Sequence, residues 1–204
     1  LMGFKYTGFA DEAGKSLREQ IDATKRAGWS SIEVRQLDGK NFTVIPEATF
    51  DAAWDTMQSS GISIAGFGAR LCNWSRPITT DFQVDVDELN VAIPRMKKCG
   101  SKIIRCMSYP NKDMPLAEYK NEVFRRLKIL AKMAQDAGII LGHENCNGYG
   151  AEGPEQSLEM MAAVNNPAFK YIFDTGNQSL HNHNADLTWD FYNKIKDHTV
   201  HIHI

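Results

Sequence analysis

The chain is poor in cysteine and pairs none of it. Its four, Cys72, Cys99, Cys106 and Cys146, form no C-x-x-C spacing, so four free thiols in a reducing compartment, the cytoplasm, is the plain reading. No unbroken run of about 18 apolar residues occurs, which excludes a membrane-spanning helix. No secretory signal opens the sequence, although the start at Leu1-Met2 leaves open a removed leader or an added first residue. Runs rich in lysine and arginine are also missing. Arg95-Met96-Lys97-Lys98 and Arg125-Arg126 fall within helical patterns and read as solvated faces. With a formal net charge of −2, no nucleic-acid partner is expected. A glycine-rich dinucleotide loop is absent too: Gly8-Phe9-Ala10-Asp11-Glu12 sets acids where a phosphate would sit.

What is present is alternation. The 204 residues, 43% hydrophobic and 24% charged, suffice for one sizeable core. Short apolar runs at 4–9, 31–34, 62–67, 103–107, 139–144, 171–174 and 199–204 predict seven strands. Helical spacing predicts helices at 16–27, 50–60, 84–99 (despite Pro94), 116–137, 154–164 and 187–195. Ser16 with Glu19 is a capping-box signature. Gly28, Gly61, Gly100 and Gly138 each stop a helix just before the next strand. Strands alternating with helices imply a parallel sheet. The expected fold class is α/β, a (β/α)8 TIM barrel in one domain over 1–204. It is read as truncated after strand seven, because such a barrel has eight strands and this chain stops inside the seventh.

Three of these runs end in groups that ligate metals. The run Gly-Ile-Ile-Leu-Gly-His-Glu-Asn-Cys-Asn, residues 138–147, delivers Glu144 at a strand end. A carboxylate there is costly to bury unless it is paired or coordinated. Phe-Lys-Tyr-Ile-Phe-Asp delivers Asp174, which alone would read as a turn residue before Thr175-Gly176-Asn177. In Thr-Val-His-Ile-His-Ile, period-two alternation puts His201 and His203 on one face and the isoleucines on the other. Either histidine could be the ligand. Two carboxylates and an imidazole suit Mn²⁺, Co²⁺, Mg²⁺ or Zn²⁺. Such an ion polarises a carbonyl and acidifies the adjacent C–H. Polar residues at other strand ends, Asp11, Glu12, Glu33, Arg35, Arg105, His143, Asn145 and Asn147, would line one rim and suit a polyhydroxylated ligand. Lys40 and Asn41 follow the turn signal Asp38-Gly39, while His181 and His183 read as a solvated loop. Cys146 lacks any activating arrangement beyond His143, so it does not read as a nucleophile.

Phe9-Ala10-Asp11-Glu12, Ile32-Glu33-Val34-Arg35 with Asp38-Gly39-Lys40-Asn41, His143-Glu144-Asn145, and Phe173-Asp174-Thr175-Gly176-Asn177 resemble segments of one family. It is the xylose isomerase-like family of β/α barrels, the sugar phosphate isomerase/epimerases, and the match runs in order over nearly the whole chain. The resemblance implies a divalent metal at the C-terminal mouth of the barrel. Its ligands would be a glutamate on strand five, an aspartate on strand six, a histidine on strand seven and a glutamate on strand eight. Glu144 and Asp174 match the first two, and His203 is the preferred match to the third, with His201 the other register. The fourth has no counterpart before the chain ends. The resemblance makes Glu144 both ligand and catalytic base in an isomerase or epimerase acting on a small sugar or polyol. Arg35, Lys40, Arg105, Asn147 and Asn177 are candidate substrate contacts. Where members often carry a second glutamate in the following loop this chain has Gly150, and where some have a histidine three residues past the aspartate it has Asn177. Family barrels often dimerise, so a homodimer is a further expectation. Two alternatives stand beside this reading. One is a non-catalytic sugar-binding barrel. The other is a zinc phosphodiesterase like the abasic-site endonucleases, which needs more histidines and a basic surface.

Overall fold

The structure, a computed structural model, describes residues 4–182 and 184–204, with the side chains of 179–182 outside the description. Leu1, Met2 and His183 therefore lie outside the described residues. The elements in chain order are α1 (Leu17–Arg26), β1 (Ser31–Val34), β2 (Gln36–Leu37), β3 (Lys40–Asn41), α2 (Glu47–Ser59), β4 (Ser63–Leu71), α3 (Gln83–Cys99) and β5 (Ile103–Ser108). They continue with α4 (Leu116–Ala137), β6 (Ile140–Gly148), α5 (Pro154–Val164), β7 (Phe169–Asp174), α6 (Thr175–Asn182), α7 (Ala185–Ile195) and β8 (Thr199–His203). The class is α/β, as the alternation predicts. The chain divides into two compact units, residues 1–69 with 90–104, and residues 70–89 with 105–204.

In the first unit β1 runs parallel to β4, with Ser31 opposite Ser63 and Val34 opposite Phe67. All four β1 residues are buried, Ile32 and Val34 on one face and the polar Ser31 and Glu33 on the other. Ser16 caps α1 through the capping box: its hydroxyl accepts from the Glu19 N–H while the Glu19 carboxylate accepts from the Ser16 N–H. Arg95 is 4% exposed and donates to the Thr43 and Ile45 carbonyls at 2.8 and 2.7 Å and to Glu47.

The first predicted strand is not one. Residues 4–9 carry no regular ladder and touch β1 through isolated bonds, the Glu33 N–H to the Gly8 carbonyl at 3.0 Å and the Thr7 hydroxyl to the Ser31 carbonyl at 3.0 Å. Phe4 and Tyr6 stay 88% and 62% exposed, so the apolar run has no face to bury. The turn signal at Asp38-Gly39 closes a two-stranded ribbon, β2 antiparallel to β3.

In the second unit β6, β7 and β8 lie side by side and parallel, with Glu144 opposite Ile172 and Asp174 opposite His203. Leu141, Tyr171, Ile172 and Phe173 are 0–1% exposed, with Tyr171 and Phe173 packed on Phe191 of α7 and Ile172 on the opposite face of the sheet. On β8 the alternation turns His201 and His203 inward, while Val200 and Ile202 remain 43% and 44% exposed. Helix α4 spans the predicted 116–137 and stops at Gly138, which takes φ +70°. A segment read as turn and loop is helical instead. Asp174 starts α6, which runs through the position of His181, because the Asp174 Oδ1 accepts the Asn177 N–H at 2.8 Å.

Beyond β4, Arg76 is held by Asp85 at 2.6 Å and by Glu88. The same Asp85 accepts the Cys72 N–H at 3.1 Å and the Tyr109 hydroxyl at 2.7 Å. Cys72 and Tyr109 both take positive φ, 57° and 58°, and the Tyr109 N–H reaches the Cys72 carbonyl at 2.8 Å. A fully satisfied buried charge network thus pins two strained strand ends.

Candidate active site

Strand β6 enters the core as Ile140-Leu141-Gly142 and then carries three polar residues, His143, Glu144 and Asn145, that are 0–2% exposed. Each has an identifiable counterpart. Glu144 splits its two oxygens: Oε2 accepts from the Arg105 guanidinium at 3.2 Å, and Oε1 meets the His203 Nδ1. The His203 Nδ1 also stands 4.0 Å from the Asp174 Oδ2. One donor atom from each of Glu144, Asp174 and His203 lies within 4.8 Å of the others. All three belong to the second unit; Asp174 and His203 close β7 and β8, whereas Glu144 lies in the middle of β6, which runs on to Gly148 beyond the expected strand end at 144.

This set fits a divalent ion. Two carboxylates and one imidazole nitrogen are the hard and borderline donors that Mn²⁺, Co²⁺, Mg²⁺ and Zn²⁺ share. Glu144 is deeply buried, and a buried carboxylate demands compensating positive charge. His203, not His201, contributes to this group; the two rings stand 5.1 Å apart, edge to face.

Behind the carboxylates lies a neutral layer. The His143 Nε2 is 3.0 Å from the Ser108 hydroxyl, which also accepts the Gly150 N–H at 2.8 Å and donates to the Asn147 carbonyl at 3.2 Å. A hydroxyl has one proton; given to Asn147, it requires the proton of His143 to sit on Nε2. Burial pushes the His143 imidazole down to about 3, with the Glu144 charge pulling weakly the other way. Cys146 is pushed up to about 11 by burial, so its sulfur is a thiol, in contact with the Asn177 side chain.

The substrate-contact candidates fall into two groups. Arg105 lies 8% exposed on β5, engaged with Glu144. Asn147 is half-buried on β6, and Asn177 stands in the first turn of α6, with its N–H on Asp174. Arg35 and Lys40 belong to the first unit. There the Arg35 guanidinium is held by Asp11 at 2.9 Å and Glu12 at 3.1 Å and covers the Phe9 ring, while Lys40 is exposed on β3.

One residue at the centre is missed by reading ligand types alone. Asn145 is fully buried, and its side chain binds the Asp174 backbone twice. An amide directly after Glu144 in a buried run is the available signal, but without strand register it reads only as a rim residue.

The sequence profile of the xylose isomerase-like TIM barrel family matches residues 21–204, and the chain belongs to that family. Solved structures of the same fold cover 98% of the chain. They include the probable 3-DHS dehydratase AsbF involved in petrobactin synthesis from Bacillus anthracis, at 14% identity, TM-score 0.76 and 73% of its length. A 3-keto-D-glucoside 4-epimerase, YcjR, from E. coli aligns at 12% identity, TM-score 0.75 and 79% of its length. A D-allulose 3-epimerase from Methylomonas sp. aligns at 18% identity, TM-score 0.71 and 72% of its length. At these identities the likeness concerns the fold. No curated protein matches the chain in sequence.

Proposed function

We propose that the protein is a divalent-metal-dependent sugar isomerase or epimerase that moves a proton next to the carbonyl of a small sugar or polyol. The observation that carries this reading is the convergence within 4.8 Å of Glu144 from β6 with Asp174 and His203 from the ends of β7 and β8. These three residues would hold the ion. An ion there would polarise the substrate carbonyl and acidify its neighbouring C–H.

The chain's own residues supply the rest. Glu144 is the proton acceptor; the Arg105 guanidinium on its Oε2 opposes the carboxylate's charge and fixes its plane. Neutral His143 and the Ser108 hydroxyl, both fully buried and joined through Nε2, close the back of the site, which leaves Glu144 little water to compete with. Asn147 and Asn177 are the proposed contacts to substrate hydroxyls on this side, and Arg35 and Lys40 are proposed as further ones. Two of the named relatives are sugar epimerases by their own descriptions, which supports the class of substrate. The slightly acidic net charge of −2 gives the endonuclease reading less support.

The test is deuterium wash-in. Mn²⁺-loaded protein is incubated in D₂O with a panel of ketopentoses and ketohexoses, and exchange at the carbon beside the carbonyl is followed by NMR. The unaltered protein is expected to exchange at least one sugar, and Glu144→Gln to slow that by roughly 100-fold or more. Undiminished exchange in Glu144→Gln overturns the base assignment. Sugar binding without any exchange supports the non-catalytic barrel instead.

A further inference from the structure

We infer that Asn145, which is neither a ligand nor a proton carrier, is the positioning residue that sets the reach of Asp174 and His203 toward Glu144. The inference rests on the metal reading above.

Along β6 and β7 the regular pairing runs from Leu141 opposite Phe169 to Glu144 opposite Ile172 and then ends. Two residues of β7 remain, Phe173 and Asp174, and the second carries the ligand. At this height the Asn145 side chain replaces the main-chain ladder. Its Oδ1 accepts the Asp174 N–H at 2.6 Å, and its Nδ2 donates to the Asp174 carbonyl at 2.9 Å. One amide side chain thus satisfies both polar groups of one backbone residue, as a neighbouring strand would.

The chain of constraint continues outward. Asp174 pairs in register with His203 on β8. The Thr175 hydroxyl also reaches the His203 carbonyl at 3.4 Å. Asn145 follows Glu144 directly, so the clamp ties the first ligand's strand to the second's backbone, and the second to the third. Asn145 is 0% exposed, so no solvent stands in for these two bonds. Asparagine suits the task because it presents one donor and one acceptor side by side on a short stem. Aspartate keeps the acceptor but faces the Asp174 carbonyl with a second oxygen, and glutamine is a methylene too long.

The experiment compares the unaltered protein with Asn145→Ala and Asn145→Ser. Mn²⁺ affinity is measured by calorimetry, thermal unfolding is recorded for each metal-free protein, and the visible bands of Co²⁺-loaded samples report ligand geometry. Both variants are expected to keep one cooperative transition, to bind Mn²⁺ at least about tenfold more weakly, and to show altered Co²⁺ bands. Equal Mn²⁺ affinity with identical Co²⁺ bands overturns the role of Asn145 and leaves the metal reading standing. No Mn²⁺ uptake by the unaltered protein overturns the metal reading and this inference with it. Loss of the cooperative transition in both variants overturns positioning in favour of a purely structural part.

Discussion

Arg105 donates to the Oε2 of Glu144 at 3.2 Å, an ion pair between side chains only 9% and 3% exposed. Two charges this deep in a core hold each other there, and removing one leaves the other in surroundings that solvate it poorly. Arg105→Met should therefore destabilise the metal-free protein by about 3–5 kcal/mol. Saturating Mn²⁺ should restore part of the loss, because a bound cation supplies charge to the same carboxylate. Urea unfolding with and without Mn²⁺ measures both values. An equal loss in the two conditions would separate Arg105 from the metal centre.

Asp174 offers a direct test of the ligand set. Asp174→Asn preserves the backbone that Asn145 grips but removes the negative charge. Mn²⁺ affinity should fall beyond the roughly 10–100-fold that loss of a supporting residue causes. Calorimetric titration decides it, and near-normal affinity would remove Asp174 from the set.

His143 predicts an acid limb in the stability curve. Its folded-state value is about 3, held down by burial. The unfolded chain takes up the proton near 6.5, so below that pH the unfolded state binds more protons and stability falls as pH drops toward 3. Between pH 7 and pH 5 this one group should remove about 2 kcal/mol. His143→Gln should flatten the fall by about that amount in denaturant melts at the two pH values. A fall of unchanged size would show that other groups set the limb.

Gly148 is the least replaceable glycine of β6. It sits at φ +88°, and an added Cβ would lie 2.3 Å from the Ser108 carbonyl carbon and 2.6 Å from the Tyr109 oxygen. Those neighbours are backbone and cannot swing aside. Gly148→Ala should cost about 3 kcal/mol or more, read as a lowered unfolding midpoint. Gly39→Ala is the control, since its φ is also positive, +76°, but nothing lies within 4 Å of its added Cβ.

Much of this was legible before any coordinates. Helix α4 and strand β1 have the bounds their patterns predict, because a left-handed glycine at 138 and the alternation of Ile32 and Val34 with polar residues mark them locally. The placement of Asp174 and His203 at strand ends could be read from period-two alternation and from where apolar runs stop; Glu144 was expected to end its strand too, but β6 continues through polar residues to Gly148. Their roles are the proposal above. Illegible was whatever depended on register. Residues 4–9 look like a strand but make only isolated bonds to β1, which no local pattern could reveal. Helix α6 was hidden because Asp-Thr-Gly-Asn is equally good turn and helix-cap chemistry. The grip of Asn145 on Asp174 joins residues 29 apart in sequence through two bonds that exist only once β6 and β7 are aligned.

Asp174 spends its two oxygens in different directions, Oδ1 on the Asn177 N–H at 2.8 Å and Oδ2 toward His203 at 4.0 Å. A rotation that serves one oxygen disturbs the other. The opening turn of α6 therefore shares one carboxylate with the group of proposed ligands. On the metal reading proposed above, an ion drawing on Oδ2 would be felt at that turn, and a change in Asn177 amide exchange on adding Mn²⁺ is the expected sign of it.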